Sequence, residues 1–356
     1  ASDVYKRQVP ALPVAGSFRS IDFALSSMSN SHIQTVAVLT QYNARSLNEH
    51  LSSSKWWNFG RKQGGLFLFT PTVTADNSDW YRGTADAMYQ NIDFLKRRHE
   101  PYVIISSGDC VYKLDFNRVL DFHIEKKSDI TVVCKDMMYN DDVSRFGVVR
   151  MDDESRITEF DEKPIEALSN TISTGIYVIR RRQLIELLEA AAEENRFDFV
   201  NDILVRYKNV KKIYGYKINS YWNNIADIDA YFKTNMDFLR PDVRSYFFRE
   251  EPTICSKVDD LPPAKFNPGS DISNSLVSSG CIINGSVEDS VLFKQVFVGK
   301  NTTVKNCVIL NDVYIGDNVH LENCIVESRG TINPNTCYCG EDGVMIVKEK
   351  NVRYVI

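Results

Sequence analysis

The sequence predicts an α/β domain with a mostly parallel sheet over residues 1–242, followed by a parallel β-helix over residues 268–356. Strand and helix patterns alternate through the first two thirds of the chain, as expected for a sheet with helices on both faces. Beyond residue 268 the sequence repeats itself with a step of 17 residues, which is typical of a β-helix. Four prolines between residues 252 and 268 predict a linker over residues 243–267.

The amino-acid composition argues against several classes of protein. The 356 residues are 43% hydrophobic and 25% charged, enough apolar surface for the cores of about two domains. The net charge of −5 is well mixed, and no apolar run approaches the ~20 residues of a membrane span. We therefore expect neither nucleic acid nor a membrane as partner. Eight cysteines without CxxC pairs, and no signal-peptide pattern, predict a cytoplasmic protein with reduced thiols.

The elements of the first domain follow from local patterns. Short apolar runs predict buried strands at residues 35–39, 101–106 and 129–134, with further strands at 171–179 and 212–218. Apolar residues at helical spacing predict a helix over residues 84–98 with Thr84 as its N-cap. Further helices are predicted over residues 183–194 and 227–238.

The second domain is predicted from the repeat. Segments that begin at residues 285, 302 and 319 align with one another, so Cys307 and Cys324 should occupy one interior row, where cysteine acts as a small apolar residue. A β-sandwich with chance periodicity is the less favoured alternative, because both phase and residue type recur. Cys337 and Cys339 are interpreted as structural, because a zinc site needs four ligands and the sequence shows no second pair nearby.

Several polar residues could take part in catalysis or ligand binding, and each also has a purely structural interpretation. Asp109 follows a predicted strand, where it could hold a divalent cation or act as a turn residue. Residues 83–84 open a helix and could offer N–H groups to a ligand, or simply cap it. Residues 162–163 pair a sugar-hydroxyl acceptor with a phosphate-binding charge, or form a solvated loop. Residues 221–222 could line a sugar pocket or pack in the core.

Six segments, taken in order, resemble the glucose-1-phosphate adenylyltransferases (ADP-glucose pyrophosphorylases). They are residues 16–26, 80–90, 107–109, 160–164, 173–177 and 221–222. The resemblance covers nearly all of the chain after residue 9. It implies a Rossmann-like nucleotidyltransferase domain followed by a left-handed β-helix. It also implies the reaction of ATP with glucose 1-phosphate to give ADP-glucose and pyrophosphate for glycogen or starch synthesis.

The resemblance also implies roles for individual residues. Asp109 corresponds to the catalytic carboxylate that holds Mg²⁺. The glucose 1-phosphate contacts carried over from the family are Tyr81, Gly147, Glu162, Lys163 and Ser173.

Three departures from active members concern the ATP and metal half of the site. The Gly-rich loop that wraps the ATP phosphates is missing, and Ser17 stands where active members have a lysine. Asn224 stands where they have a second metal-binding aspartate. A neutral amide weakens a Mg²⁺ site and compensates less charge on departing pyrophosphate. The residues at the sugar-phosphate positions, in contrast, are all of the types that the family uses.

This combination is similar to the GlgD-type subunit of the family, which has little activity of its own and modulates a catalytic partner. We therefore expect a regulatory chain in a heterotetramer that binds glucose 1-phosphate and ATP, or a sugar-phosphate effector. A competent adenylyltransferase is the first alternative. A β-helix acyltransferase is the second; it usually needs a histidine in the β-helix, and His320, the only histidine after residue 123, is predicted to point outward.

The start of the chain carries one more expectation. It has no initiator Met, and residues 1–8 match no family pattern. We expect the first strand of the sheet to be missing together with the Gly-rich loop, which predicts a hydrophobic gap beside residues 35–39.

Overall fold

The computed structural model describes residues 9–41, 45–60, 64–71, 80–138 and 141–349. Its described residues form an α/β domain followed by a parallel β-helix, which confirms the predicted fold class. The helices are α1 (Ser20–Asn30), α2 (Arg45–Leu51), α3 (Thr84–Gln90), α4 (Ile92–Lys96), α5 (Phe116–Glu125), α6 (Arg181–Glu193), α7 (Ile228–Asp237) and α8 (Pro241–Phe248), with short 3-10 turns at Val9–Ala11 and Ser54–Trp57 and a π-helical turn at Val200–Val205. No helix among these residues combines the length and apolarity needed to cross a bilayer.

The strands of the first domain include every strand predicted from the apolar runs. They are β1 (Pro13–Val14), β2 (Phe18–Arg19), β3 (Thr35–Leu39), β4 (Gly65–Phe69), β5 (Tyr102–Ser106), β6 (Cys110–Tyr112), β7 (Ile130–Asp136), β8 (Gly147–Met151), β9 (Ile157–Glu162), β10 (Thr171–Arg180), β11 (Ile213–Lys217) and β12 (Trp222–Asn224). Six of them form one sheet in the order β11-β7-β10-β8-β9, with β5 also paired to β10.

The six-stranded sheet is mixed, where the sequence predicts a mostly parallel one. The central strand β10 runs antiparallel to β5, β7 and β8, and within this sheet β7 and β11 form the parallel pair. A short turn joins β8 to β9 as an antiparallel hairpin, and so short a connection leaves no room for a crossover. An apolar run indicates that a strand is buried, but it carries no information about the direction of that strand.

Helices cover both faces of the sheet, as predicted. Along β7, Ile130 and Val132 belong to one apolar cluster with Leu184 of α6, and Val133 belongs to another with Val119 of α5. Because successive side chains of a strand point to opposite faces, β7 serves two layers at once. Because both of its faces are buried, the sequence of β7 is a continuous apolar run.

Strand β3 pairs in parallel with β4, apart from the main sheet. Within the described residues, β3 has a partner strand along one edge only. All five residues of β5 are half-buried rather than buried. The hydrophobic gap beside residues 35–39 stays a prediction, as do the domain boundaries. Helix α8 begins at Pro241 and ends at Phe248, so helical structure extends past residue 242.

The helix predicted over residues 84–98 is divided at Asn91. The Asn91 side chain donates to the Ala87 carbonyl at 2.9 Å, and its backbone adopts φ −109° and ψ 23°. Asparagine favours such local bonds over a continuous helix. The N-cap is Gly83 rather than Thr84, because the Thr84 hydroxyl instead accepts from the Phe199 N–H at 2.9 Å.

The β-helix has three faces of five parallel strands each. The first face holds β13 (Lys265–Phe266), β16 (Ile282–Ile283), β19 (Phe297–Val298), β22 (Tyr314–Ile315) and β25 (Thr331–Ile332). The second holds β14 (Asp271–Ser273), β17 (Ser286–Glu288), β20 (Thr303–Lys305), β23 (His320–Glu322) and β26 (Cys337–Cys339). The third holds β15 (Leu276–Val277), β18 (Val291–Leu292), β21 (Val308–Ile309), β24 (Cys324–Val326) and β27 (Met345–Val347).

The 17-residue step is confirmed where the sequence repeats most clearly. Val304 lies opposite Leu321 in the interior, and Cys307 and Cys324 are fully buried. Other turns differ in length: Leu276 lies opposite Val291, and Cys324 opposite Met345.

Asparagines turn one corner of the β-helix. Asn301, Asn318 and Asn335 have φ values of 54°, 56° and 62°, a left-handed region that asparagine tolerates better than most residues. The Asn318 side chain donates to Asn335 Oδ1 at 3.0 Å and accepts from Asn301 at 3.3 Å. This ladder joins three successive turns.

The two domains share one apolar cluster. Phe238, directly after α7, and Phe247, in the last turn of α8, belong to one cluster with Val291 and Val308 of the third face. A polar contact supports the same junction, since the Ser278 hydroxyl donates to the Gly16 carbonyl at 2.9 Å. The β-helix is therefore packed directly against the first domain.

Candidate active site

Two antiparallel strands bring Asp109 and Asn224 to the same place. Strand β6 starts directly after Asp109, and β12 pairs with it so that Asn224 lies opposite Cys110. The Ile225 N–H donates to the Asp109 carbonyl at 2.9 Å. The two residues that the resemblance assigns to the metal site are thus adjacent.

The Asp109 carboxylate is held by its neighbours. The Ser107 hydroxyl and the Cys110 thiol both donate to its Oδ1, the thiol at 3.3 Å. Burial, together with the Asp109 charge, raises the pKa of Cys110 well above its usual value. Cys110 therefore stays a thiol and a hydrogen-bond donor.

The Asn224 amide is turned toward its own chain. Its Oδ1 accepts from the Ala226 N–H at 2.9 Å, and its Nδ2 lies 3.5 Å from the Cys110 sulfur. Mg²⁺ is commonly held by one or two carboxylates plus substrate phosphates. Asp109 fits that role, while Asn224 adds no charge. When bound there, Mg²⁺ would neutralise charge on the nucleotide phosphates.

Gly147 and Glu162 lie opposite each other across β8 and β9. A Cβ at Gly147 would lie 2.8 Å from Phe160 Cε1 and 2.9 Å from Glu162 Oε2. Glycine is therefore required for the Glu162 carboxylate to cross this strand. The Lys163 N–H donates to the Phe146 carbonyl at 3.0 Å, which fixes the start of the following loop.

Burial shapes the electrostatics of Glu162. The pKa of its carboxyl is raised above the usual value by burial first, and also by Asp198, while the Lys163 charge opposes the rise. The Glu162 side chain is 20% exposed, whereas that of Lys163 is 66% exposed, with Nζ 3.9 Å from Glu162 Oε1. A half-buried acceptor thus lies beside an exposed cation, an arrangement suited to a sugar hydroxyl and a phosphate.

Ser173 lies at an irregularity in β10. The pairing register with β7 shifts between Ser173 and Tyr177, where Gly175 adopts φ +76°. The Gly175 carbonyl accepts from the Ser107 N–H at 3.0 Å. The bulge therefore joins Ser173 to the loop that carries Asp109.

The Tyr81 hydroxyl makes its described hydrogen bond with the residue that follows α3. It accepts from the Asn91 side chain at 3.0 Å, and burial raises the pKa of Tyr81. Among the described contacts, none joins Tyr81 to the other four sugar-phosphate candidates. The N–H groups of Ala85 and Asp86 donate to the Phe197 carbonyl at 2.8 and 3.2 Å, while a ligand at the N–H groups of residues 83–84 stays a prediction.

Trp222 is a core residue, and Ser17 faces the β-helix. Trp222 is 3% exposed and packs edge-on against Phe146 at 5.7 Å. The Tyr221 hydroxyl donates to Asp237 at 2.8 Å. The Ser17 hydroxyl lies 3.5 Å from that of Ser278. The core-packing alternative for residues 221–222 is the one that the structure supports.

Sequence reasoning missed two residues beside the site. The Tyr177 hydroxyl lies 3.3 Å from Ser173 Oγ, and the Asp198 charge acts on Glu162. Tyr177 closes the quoted segment 173–177, so it could have been included. Asp198 lies in a connecting segment with no sequence signal.

A separate cavity of about 710 Å³ contains none of the predicted site residues. Its lining includes Lys113, Arg118 and Lys217. These cations already have partners, since Lys113 donates to the Glu250 carbonyl, Arg118 pairs with Asp115 and Lys217 pairs with Asp136.

The fold and site define a nucleotidyltransferase with a C-terminal hexapeptide β-helix. The Nucleotidyl transferase family matches residues 3–240, and the GlmU-like, C-terminal hexapeptide family matches residues 262–346. The chain is 38% identical over 298 residues to the glucose-1-phosphate adenylyltransferase of Clostridium novyi (strain NT), and 37% identical to that of Bacillus subtilis (strain 168). Each alignment covers 83% of this chain and 78% of the relative. The chain belongs to the glucose-1-phosphate adenylyltransferase family.

Proposed function

We propose that this chain is a glucose-1-phosphate adenylyltransferase subunit of glycogen synthesis that binds sugar phosphate and regulates a catalytic partner, with weak or no turnover of its own. The partner's reaction joins ATP and glucose 1-phosphate into ADP-glucose and pyrophosphate. The observation that carries the proposal is the neutral Asn224 amide beside Asp109, in a chain where Gly147 and Glu162 lie opposite each other.

Sugar-phosphate binding would use the residues around the β8–β9 hairpin. The Glu162 carboxylate accepts from sugar hydroxyls, and the Lys163 ammonium attracts the phosphate. Ser173 offers a hydroxyl from the bulge of β10. Gly147 leaves the space that Glu162 occupies.

Turnover would be limited by charge. Phosphoryl-group chemistry depends on preorganised positive charge at the phosphates, and a metal held through one carboxylate is held less firmly. Asp109 supplies a carboxylate at this place in the described part of the chain, and Asn224 Oδ1 is already bonded to the Ala226 N–H. Bound nucleotide would therefore be poorly oriented for reaction.

A path for regulation runs from this site to the β-helix. Strand β12 ends at Asn224 and leads into α7, whose Asn235 accepts from the Ala15 N–H at 3.1 Å. Tyr231 of α7 belongs to the apolar cluster shared with the β-helix. A ligand that prefers one arrangement of β12 and α7 would bias the packing of both domains, and through it a partner chain in a heterotetramer.

The second candidate is a competent adenylyltransferase. It is favoured by relatives at 37–38% identity that bear that name and by the presence of Asp109. It requires that the metal site operate with one carboxylate.

The test is ADP-glucose synthesis by the full natural chain, alone and mixed with a catalytic subunit. No turnover alone, but an altered rate or effector response in the mixture, supports regulation. Turnover alone that Asp109→Ala abolishes supports the second candidate. No effect in either setting contradicts both.

A further inference from the structure

Metal-ligating side chains from two successive turns lie side by side on the outer surface of the β-helix. His320 and Glu322 lie on β23, and the next turn places Cys337 opposite His320 and Cys339 opposite Glu322. Leu321, between the first two, is fully buried. Because neighbours in a strand alternate between faces, His320, Glu322 and the two cysteines share the outer face.

The donor atoms are close together. One ligand atom each from His320, Glu322 and Cys339 lies within 4.8 Å of the others. The two sulfurs of Cys337 and Cys339 are 3.6 Å apart, and His320 Nε2 is 3.5 Å from Glu322 Oε2. In a tetrahedral zinc site, Zn–S distances of about 2.3 Å separate two sulfurs by about 3.8 Å, and Zn–N and Zn–O distances of about 2.0 Å separate those atoms by about 3.3 Å. Both pairs are near these values before any ion is added.

The surroundings leave this cluster available. On the adjacent strand β20, Lys305 is in register with Glu322, but its ammonium pairs with Glu288 at 3.7 Å on the far side. The side chains of His320 and Glu322 are 44% and 39% exposed, so an ion could enter from solvent. The strand backbone fixes all four positions, which reduces the cost of ordering the ligands.

We propose that His320, Glu322, Cys337 and Cys339 bind one Zn²⁺. Two thiolates and an imidazole favour zinc over the hard cation Mg²⁺. Each cysteine releases its thiol proton to solvent as its sulfur–zinc bond forms, and His320 binds as the neutral imidazole. The ion fastens β26 to β23, the last two strands of their face. It stabilises this end of the β-helix, and its ligands are distinct from Asp109.

A disulfide between Cys337 and Cys339 is the competing chemistry. It needs an S–S distance of about 2.05 Å, much shorter than the observed 3.6 Å. It would also leave His320 and Glu322 without a role.

The experiment titrates the full chain, reduced and stripped of metal by a chelator, with Zn²⁺ and with Co²⁺ as a spectroscopic probe. We expect about one tightly bound zinc, a thiolate-to-cobalt absorption band, and a zinc-dependent rise in melting temperature. Cys339→Ser, and independently His320→Gln, should weaken zinc binding about tenfold or more. Cys255→Ser changes another exposed cysteine and should leave binding unchanged.

Three results would overturn the proposal. The first is the absence of stoichiometric zinc binding by the folded chain. The second is a cobalt spectrum that is unchanged in the Cys337→Ser, Cys339→Ser double variant. The third is a mass two hydrogens below that of the reduced chain, located by peptide mapping to residues 337–339, in protein kept under reducing conditions.

Discussion

The Ile225 N–H donates to the Asp109 carbonyl at 2.9 Å, and this bond holds the strand that carries Asn224 beside Asp109. At the metal site that we propose, the backbone brings these two side chains together, and the pair supplies one charge. The site can be tested by restoring the second charge, because the scaffold is already in place.

Asn224→Asp should raise the chain's own adenylyl transfer about tenfold or more, since a second carboxylate strengthens Mg²⁺ binding. The substitution is isosteric, and an aspartate can keep the hydrogen bond from the Ala226 N–H. Pyrophosphate release by the full natural chain measures the effect. Adding Asp109→Ala should remove the gain, and an Asn224→Asp chain no more active than the parent would contradict this account of the site.

Gly147→Ala should destabilise the protein by about 1–3 kcal/mol, because overpacking forces neighbours to move. The new Cβ would lie within 3 Å of both Phe160 and Glu162, so glucose 1-phosphate affinity should fall as well. Urea unfolding and calorimetric titration measure the two effects. Gly60→Ala is the matched control, as its Cβ would meet Ser54 Oγ at 3.7 Å. Equal behaviour of the two variants would disprove the packing argument.

Part of the β-helix could be predicted because several successive turns repeat with a step of 17 residues. Residues 17 apart share a face, so Val304 predicts the place of Leu321. The same step places His320 opposite Cys337. Because the two residues are one repeat apart in sequence, a search for zinc ligands among close sequence neighbours does not find them. Residues one repeat apart are neighbours in space, and this spacing is the signal that identifies the ligands.

The first domain shows what sequence patterns omit. An apolar run identifies β10 as buried but carries no information on the direction of its neighbours. The effect of Asp198 on Glu162 depends on how a connecting segment folds back. Asp109 and Asn224 meet through the pairing of two three-residue strands, which are too short for a periodic pattern to predict.

Glu162→Gln should stabilise the protein at neutral pH while weakening glucose 1-phosphate binding about tenfold or more, since hydrogen bonds to charged groups are the stronger ones. Burial raises the pKa of the Glu162 carboxyl, so the folded state binds its proton more readily than the unfolded state. This group's contribution to stability is present below its unfolded pKa and is lost as pH rises through the folded pKa. The amide removes that loss.

Urea midpoints at several pH values, with calorimetric titration of glucose 1-phosphate, measure both effects of Glu162→Gln. Glu166→Gln changes an exposed residue of the following loop and should alter neither. A Glu162→Gln variant that is less stable at neutral pH, or that binds as the parent does, would argue against a strained binding carboxylate.

His123 should make the protein less stable in acid. Its ring is 1% exposed, Nδ1 lies 2.9 Å from Thr131 Oγ1, and Nε2 is buried without a partner among the described residues. Burial, with the Arg180 charge, lowers its pKa from 6.5 to about 4. The unfolded chain therefore binds a proton that the folded chain refuses between these values, and stability falls by about 3 kcal/mol as pH drops from 6.5 to 4. Below that range both states are protonated and this contribution stops changing.

His123→Gln should flatten the corresponding part of a plot of unfolding free energy against pH, while the exposed His99→Gln should leave it unchanged. The slope of that plot is the decisive readout: a parent-like slope in His123→Gln would mean that other groups cause the acid sensitivity.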